Sequence, residues 1–241
     1  MKNIFKTNPA NKVSILLYHQ IGDKPNTHTN LDCFCNTTEF HRQMEFLMNS
    51  DYEVISLTKA LDLIFNKRII DSKYVVLTFD DGCESFYDIT FPILEKFNFP
   101  STIYPVAGYF GKYASWSKIN NPDLKILSKS MLVELNKLGV EIGAHTMDHV
   151  KLTHQKRRDA ITQIKDSKET LEQLLGENIC SFAYPHGNFN EEIIEITREA
   201  GFTNALTCVA NYAEEAESVF EIPRKYITYF DNSDKFTQKL Y

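Results

Sequence analysis

Apolar residues along this chain fall into two alternating rhythms, short β-branched runs and stretches with a helical period, and the exchange between them predicts the architecture. Val13 to Tyr18 reads as a first strand, followed by a polar loop from Gln20 to Asn36 that contains Pro25 and whose length marks it as functional. Thr37-Thr38-Glu39 reads as a helix cap, with Phe40, Met44, Phe46, Leu47 and Met48 giving an apolar face out to Asn49. Tyr52 to Ile55 is a short extended piece, and Leu57 to Lys67 returns to the helical period. Tyr74 to Leu77 is apolar without alternation, the pattern of a strand covered on both faces, and it runs into Asp80-Asp81-Gly82. Beyond it come a helix over Phe86 to Phe97 interrupted near Pro92, a strand over Ser101 to Val106, and a helix over Met131 to Leu138 closed by Gly139. A strand over Val140 to Ala144 ends in His145; the longest helix, Arg158 to Leu175, ends at Gly176; a strand over Ile179 to Tyr184 ends in Pro185-His186-Gly187. Helix over Glu191 to Ala200, strands over Asn204 to Val209 and Val219 to Ile222, and a terminal helix over Ser233 to Leu240 complete the pattern.

Such alternation predicts a parallel sheet covered by helices, either a closed (β/α) barrel or an open doubly wound sheet. No Gly-rich phosphate loop follows the first strand, which removes the main support for a nucleotide-binding open sheet and favours the barrel. In a barrel the active site gathers at the C-terminal ends of the strands. By that rule Tyr18-His19, Asp80-Asp81, His145 to His149 with Asp148, Tyr184 to His186, and Pro223-Arg224 converge on one rim.

Composition narrows the partners. The chain has 241 residues and a formal net charge of -6, so it can bury a sizeable core but offers no electrostatic footprint for nucleic acid. Lys156-Arg157-Arg158 reads as a solvated helix face. No repeat or linker divides the chain, so one domain over 1–241 is expected, and no stretch reaches the roughly 18 apolar residues of a membrane span. The first nine residues lack the apolar core of a signal peptide, and an odd number of cysteines, Cys33, Cys35, Cys83, Cys180 and Cys208, reads as free thiols; both point to a cytoplasmic protein. Cys33-Phe34-Cys35 is too close for an ordinary zinc pair and reads as incidental.

The chemistry lies at the strand ends. Asp80-Asp81-Gly82 alone also fits a solvated turn, but adjacent carboxylates repel unless a cation or a division of roles relieves them. His145 and His149, four residues apart, can turn two imidazoles onto one ion, with Asp81 as a third, anionic ligand. Three N/O ligands with an open position describe a catalytic divalent site that holds a water as nucleophile and lowers its pKa to about 7. Asp80, not needed on the metal, is then free to act as general base.

Thr78-Phe79-Asp80-Asp81-Gly82, His145-Thr146 with His149, and Phe182-Ala183-Tyr184-Pro185-His186-Gly187 together resemble the polysaccharide deacetylase family, the NodB-homology domains or family 4 carbohydrate esterases. The likeness extends from Leu17-Tyr18-His19 to Ile222-Pro223-Arg224. It implies a distorted, incomplete (β/α) barrel, seven-stranded and TIM-barrel-like, and metal-dependent hydrolysis of an acetyl group on a sugar. It also implies Asp80 as base and Asp81, His145 and His149 as ligands of a divalent metal, Zn²⁺ first, with Fe, Co or Ni also accommodated. The segment Tyr184-Pro185-His186 is expected to place a backbone N–H, that of His186, beside the oxyanion.

Two departures stand out. Phe182 occupies the place where many relatives carry an arginine that pairs with the base, and Arg224 is the candidate substitute; a late Leu-x-His motif, the usual source of the general acid, is missing. His19, on the same rim, is the expected acid, with His186 as runner-up. Trp116 and the Tyr109 to Tyr113 cluster fit a sugar-stacking wall or simple packing. The expected cytoplasmic location suits an enzyme acting on a sugar intermediate of surface-polysaccharide or lipopolysaccharide assembly. A same-superfamily amidohydrolase for a small non-sugar amide, or a catalytically silent carbohydrate-binding protein, would share the same pattern.

Overall fold

A computed structural model describes residues 11–26, 29–117 and 124–240. The first nine residues, on which the expectation about export rests, and His28 lie outside them. In chain order the elements are β1 (Val13–Tyr18), β2 (Gln20–Gly22), β3 (Phe34–Asn36), α1 (Thr37–Met48), β4 (Tyr52–Val54), α2 (Leu57–Phe65), β5 (Lys73–Asp81) and α3 (Phe91–Phe97). There follow β6 (Thr102–Pro105), α4 (Lys129–Lys137), β7 (Glu141–Ile142), α5 (Arg157–Leu175), β8 (Ser181–Ala183), α6 (Glu191–Glu199), β9 (Asn204–Leu206), β10 (Lys225–Tyr226) and α7 (Ser233–Leu240).

All pairings among the barrel strands are parallel. β10, β1, β5, β6 and β7 lie side by side; a bridge from Ala144 to Phe182 carries the ring on to β8 and β9, and a bridge from Leu206 to Ile222 returns it to the segment that becomes β10. Seven staves therefore close a distorted barrel in which the first strand neighbours the last, as Leu16 opposite Lys225 shows. β4 pairs with Lys73 to Val75 along the edge of β5 that β6 occupies further on.

β5 is buried from Tyr74 to Asp81, the consequence of having strands on both edges and packing on both faces. Its alternate residues Tyr74 and Val76 join Val13, Ile15, Tyr104, Ala183, Leu206 and Ile222 in one cluster, into which α2 packs through Leu57 and Ala60. Val75, Leu77 and Phe79 face the other way, into the larger cluster shared with α1, α3, α4, α5 and α6.

Several expectations need revision. The loop from Gln20 to Asn36 contains a parallel pair, β2 with β3, too short to show any period in sequence. The helix cap falls one residue early, on Asn36, whose side chain accepts from the Thr38 N–H. The expected helix over Phe86 to Phe97 divides into a wide turn at Phe86–Thr90 and α3, with Pro92 in its first turn, where a missing N–H costs nothing. The last stave is β10; of the expected Val219 to Ile222 strand, Ile222 makes a single bridge.

Candidate metal centre

Successive side chains on an extended strand point to opposite faces. At the end of β5 the rule is broken: Asp81 adopts a left-handed φ of 70°, and both Asp80 and Asp81 reach one cavity. Gly82 follows at φ 73°, and a Cβ there would lie 2.6 Å from that of Pro105, so the turn requires glycine. The loop after β7 is bent likewise, with Thr146 at φ 64° and His149 at φ 55°. The Thr146 hydroxyl accepts the His149 N–H at 3.0 Å, which brings the second imidazole back toward the first. Gly108 lets the neighbouring chain approach, since a Cβ there would meet the Met147 carbonyl oxygen at 2.4 Å. With His186 at φ 58°, four of the six left-handed non-glycine residues described lie at this rim, the distribution expected where backbone strain is retained for function.

Asp81, His145 and His149 are all buried, and one ligand atom from each lies within 4.8 Å of the others. His145 Nε2 is 3.6 Å and His149 Nε2 3.2 Å from Asp81 Oδ1. The His145 Nδ1–H donates to the Ala183 carbonyl at 2.8 Å, an assignment that leaves Nε2 as a lone-pair donor facing the carboxylate. Burial pushes the His145 pKa down to about 4, so the imidazole is neutral at neutral pH. Burial opposes the charge on Asp81, but the facing imidazoles outweigh it and hold its carboxyl well below the ordinary carboxylate range. Among the described residues, the buried Asp81 Oδ1 has no hydrogen-bond partner. Two imidazoles and an ionised carboxylate, one of whose buried oxygens has no hydrogen bond among the described residues, fit a divalent cation.

Asp80 meets a different partner. Arg224, fully buried, donates from Nη1 to Oδ1 and from Nη2 to Oδ2, both at 2.7 Å. Its Nε donates to the Thr207 carbonyl at 2.9 Å and Nη1 also to the Thr78 hydroxyl at 3.3 Å. Burial works against the Asp80 carboxylate, yet the guanidinium prevails and keeps its carboxyl below its ordinary value. The two adjacent aspartates thus have different partners, an arginine for one and the imidazole pair for the other.

The cavity above them measures about 510 Å³ and is lined by the two aspartates, His145, His149, His186 and His19, by Trp116 and Leu124, and by the loop residues Asn30, Asp32 and Cys33. His19 Nε2 lies 3.3 Å from the Tyr226 hydroxyl, and its buried Nδ1 has no hydrogen-bond partner among the described residues. Burial lowers the pKa of His19 and of His186.

Not every residue at a strand end faces this space. Tyr18 is wholly buried and donates its hydroxyl hydrogen to Gln43, while the side-chain amide of Gln163 accepts the Asp148 N–H through Oε1 and donates to the Asp148 carboxylate through Nε2. Tyr184 gives its N–H to Leu206 and its hydroxyl hydrogen to the Phe220 carbonyl; with Pro185, which has no N–H, it lies in the wall. Of the four residues grouped toward the substrate, Tyr184, Pro185, His186 and Arg224, only His186 lines the cavity. Sequence reasoning overlooked Cys33, Cys208 and Tyr226, which also line it. Tyr226 would have been found by the strand-end rule had the last stave been set at β10. The Cys33 thiol, read as incidental, contacts the Tyr226 hydroxyl at 3.1 Å. All five cysteines are free.

A closed parallel barrel with a catalytic-type metal triad at the C-terminal ends of its strands defines a class, the barrel hydrolases that use a divalent ion. The chain belongs to the polysaccharide deacetylase family, whose sequence profile matches residues 67–205, more than half of its length. It is 23% identical over 219 residues to the Bacillus subtilis protein YxkH, which carries a provisional polysaccharide deacetylase name; the match covers 91% of this chain and 72% of that protein. To the poly-β-1,6-N-acetyl-D-glucosamine N-deacetylase of Staphylococcus aureus it is 26% identical over 200 residues, 79% of this chain and 67% of the relative. The solved structure of the Streptococcus pyogenes deacetylase PplD in complex with acetate shares the fold, with a TM-score of 0.82 at 24% identity, covering 95% of this chain and 98% of that one.

Proposed function

We propose that this protein is a metal-dependent N-deacetylase that hydrolyses the acetamide of N-acetylglucosamine units in a glycan or glycan precursor, with Asp81, His145 and His149 holding the ion. The observation that carries the reading is the division between the two aspartates: Asp81 faces two imidazoles, while Asp80 beside it is kept ionised by a buried arginine. Zn²⁺ is the ion proposed, since two imidazoles and one carboxylate suit it, although the same donors accept iron, cobalt or nickel. When bound, the ion supplies Lewis acidity toward the acetyl carbonyl and toward water.

The chain's own groups supply the remainder. Asp80 accepts the proton of the attacking water while Arg224 holds its carboxylate in place. The His186 N–H, on a left-handed residue at the cavity wall, serves the developing oxyanion; one such donor is worth roughly 10²–10³ in rate. His19, which lines the cavity, delivers a proton to the departing amine. Its burial makes the imidazolium a stronger acid and a scarcer one at neutral pH.

The proposal treats residues 1–241 as one domain and places the reaction in the cytoplasm, with the five free thiols as support. Recovery of the native full-length protein outside the cytoplasm would overturn that placement. Acetate release tests the activity, measured on β-1,6- and β-1,4-linked N-acetylglucosamine oligomers, nucleotide sugars and small linear amides. Release from the sugars should depend on divalent metal and be abolished in His145→Ala. Faster release from the non-sugar amides would support the amidohydrolase alternative, and no release with metal bound would indicate a silent carbohydrate-binding protein.

A further inference from the structure

The two histidines of the metal triad are held in different ways. His145 is fixed by a hydrogen bond, its Nδ1–H donating to the Ala183 carbonyl at 2.8 Å, the usual means by which a protein orients a metal-binding imidazole. His149 has no such bond: among the described residues its buried Nδ1 has no partner, while its backbone N–H donates to the Thr146 hydroxyl and its Nε2 faces Asp81 at 3.2 Å. Rotation of its ring about χ2 is restrained by neighbouring rings. Trp116 lies over one face, with centroids 4.7 Å apart and planes inclined by 28°, and His186 approaches at 4.5 Å and 62°. Trp116 is itself buttressed, edge-on at 4.9 Å, by Tyr109, whose hydroxyl is paired with that of Ser115. Cys83, Ala114, Leu124 and Ile126 form the apolar patch under this pair.

The geometry points to Trp116 as a positioning residue for the metal site: stacking of its indole fixes the plane of His149 and aims Nε2 at Asp81. This inference rests on the proposed metal triad. It accounts for a half-buried tryptophan at the mouth of a polar cavity without requiring that its ring touch a sugar. Flat aromatic surface at position 116 should therefore matter more than apolar bulk. Losing an outer partner of a metal ligand typically weakens metal binding about 10–100-fold. The chain contains a single tryptophan, so its intrinsic tryptophan fluorescence reports on the surroundings of Trp116 alone.

The test measures Zn²⁺ affinity by competition with a chromophoric chelator for the wild type and for Trp116→Ala, Trp116→Leu and Trp116→Phe, with far-ultraviolet circular dichroism to check folding. Trp116→Ala and Trp116→Leu should each bind Zn²⁺ about 10–100-fold more weakly, and Trp116→Phe should stay within about threefold of the wild type. Adding Zn²⁺ to the wild type should change its tryptophan fluorescence, and His149→Ala should abolish that change. Wild-type affinity in either Trp116→Ala or Trp116→Leu would overturn the inference while leaving the triad intact. Failure of the wild type to bind Zn²⁺ in a His145-dependent way would overturn the triad and this inference with it. If Trp116→Ala does not fold, the comparison of leucine with phenylalanine decides.

Discussion

Replacing Arg224 with methionine removes the counter-charge of Asp80 while keeping much of the side-chain volume. The guanidinium is fully buried and makes four hydrogen bonds, two to Asp80 at 2.7 Å and one each to Thr207 and Thr78. Breaking a buried pair by deleting one partner costs about 3–5 kcal/mol, chiefly because the other charge is left in a poorly solvated place. For a chain of this size that corresponds to a melting temperature lower by roughly 6–20 °C. The loss should also depend on pH in a fixed direction. In the wild type the folded Asp80 titrates below an unfolded aspartate, whose pKa is about 3.9, so the pair's stabilisation is complete above that value and drains away only as pH falls through the folded pKa. In the variant, burial without a cation raises the carboxyl above the unfolded value, so the penalty grows as pH rises through it. Urea unfolding of both proteins from about pH 4 to 7 should show a gap that widens toward neutrality. Adding Asp80→Asn to the variant should recover part of the loss. A gap below about 1 kcal/mol, or one independent of pH, would refute the reasoning.

Lys225 is buried and lies over the Tyr212 ring at 3.5 Å; burial lowers its pKa to about 8, so the folded protein releases this proton before the unfolded chain does. Stability should therefore rise with pH above about 8, up to the ordinary lysine range, and Lys225→Met should remove that rise in urea titrations. Gly82→Ala forces a β-carbon onto Pro105 at a left-handed φ; the φ alone costs about 1–2 kcal/mol, and displacement of Asp81 should weaken Zn²⁺ binding, both readable by calorimetry. His19→Asn should keep its metal and fold, yet lose most of kcat and the basic limb of the pH–rate profile; near-full kcat with that limb unchanged would move the acid to His186.

Much of the fold was legible because the barrel's covered strands announce themselves as largely apolar runs: Val13 to Tyr18 and Tyr74 to Leu77 pair with each other. The rim was legible for a related reason, since polar residues that stop such runs must face the barrel mouth or a neighbouring helix. The sequence could not distinguish those two cases. His145 and His149 turn to the mouth through left-handed backbone, whereas Asp148 between them turns to Gln163 on α5. Tyr18, at the end of an interior strand, finds a buried partner in Gln43. The short strands β2, β3 and β10 are defined by their pairing and not by any period, which is why the loop contribution of Asn30 and Cys33 and the position of Tyr226 emerge only in three dimensions.

The central claim is that two adjacent aspartates do different work, one holding the ion and the other moving the proton. Its most direct test is acetate release by Zn²⁺-loaded Asp80→Asn on an N-acetylglucosamine oligomer, with metal content measured on the same sample. The account predicts wild-type metal content and turnover reduced by about 10²–10⁴. Turnover within tenfold of the wild type at full metal loading would contradict it.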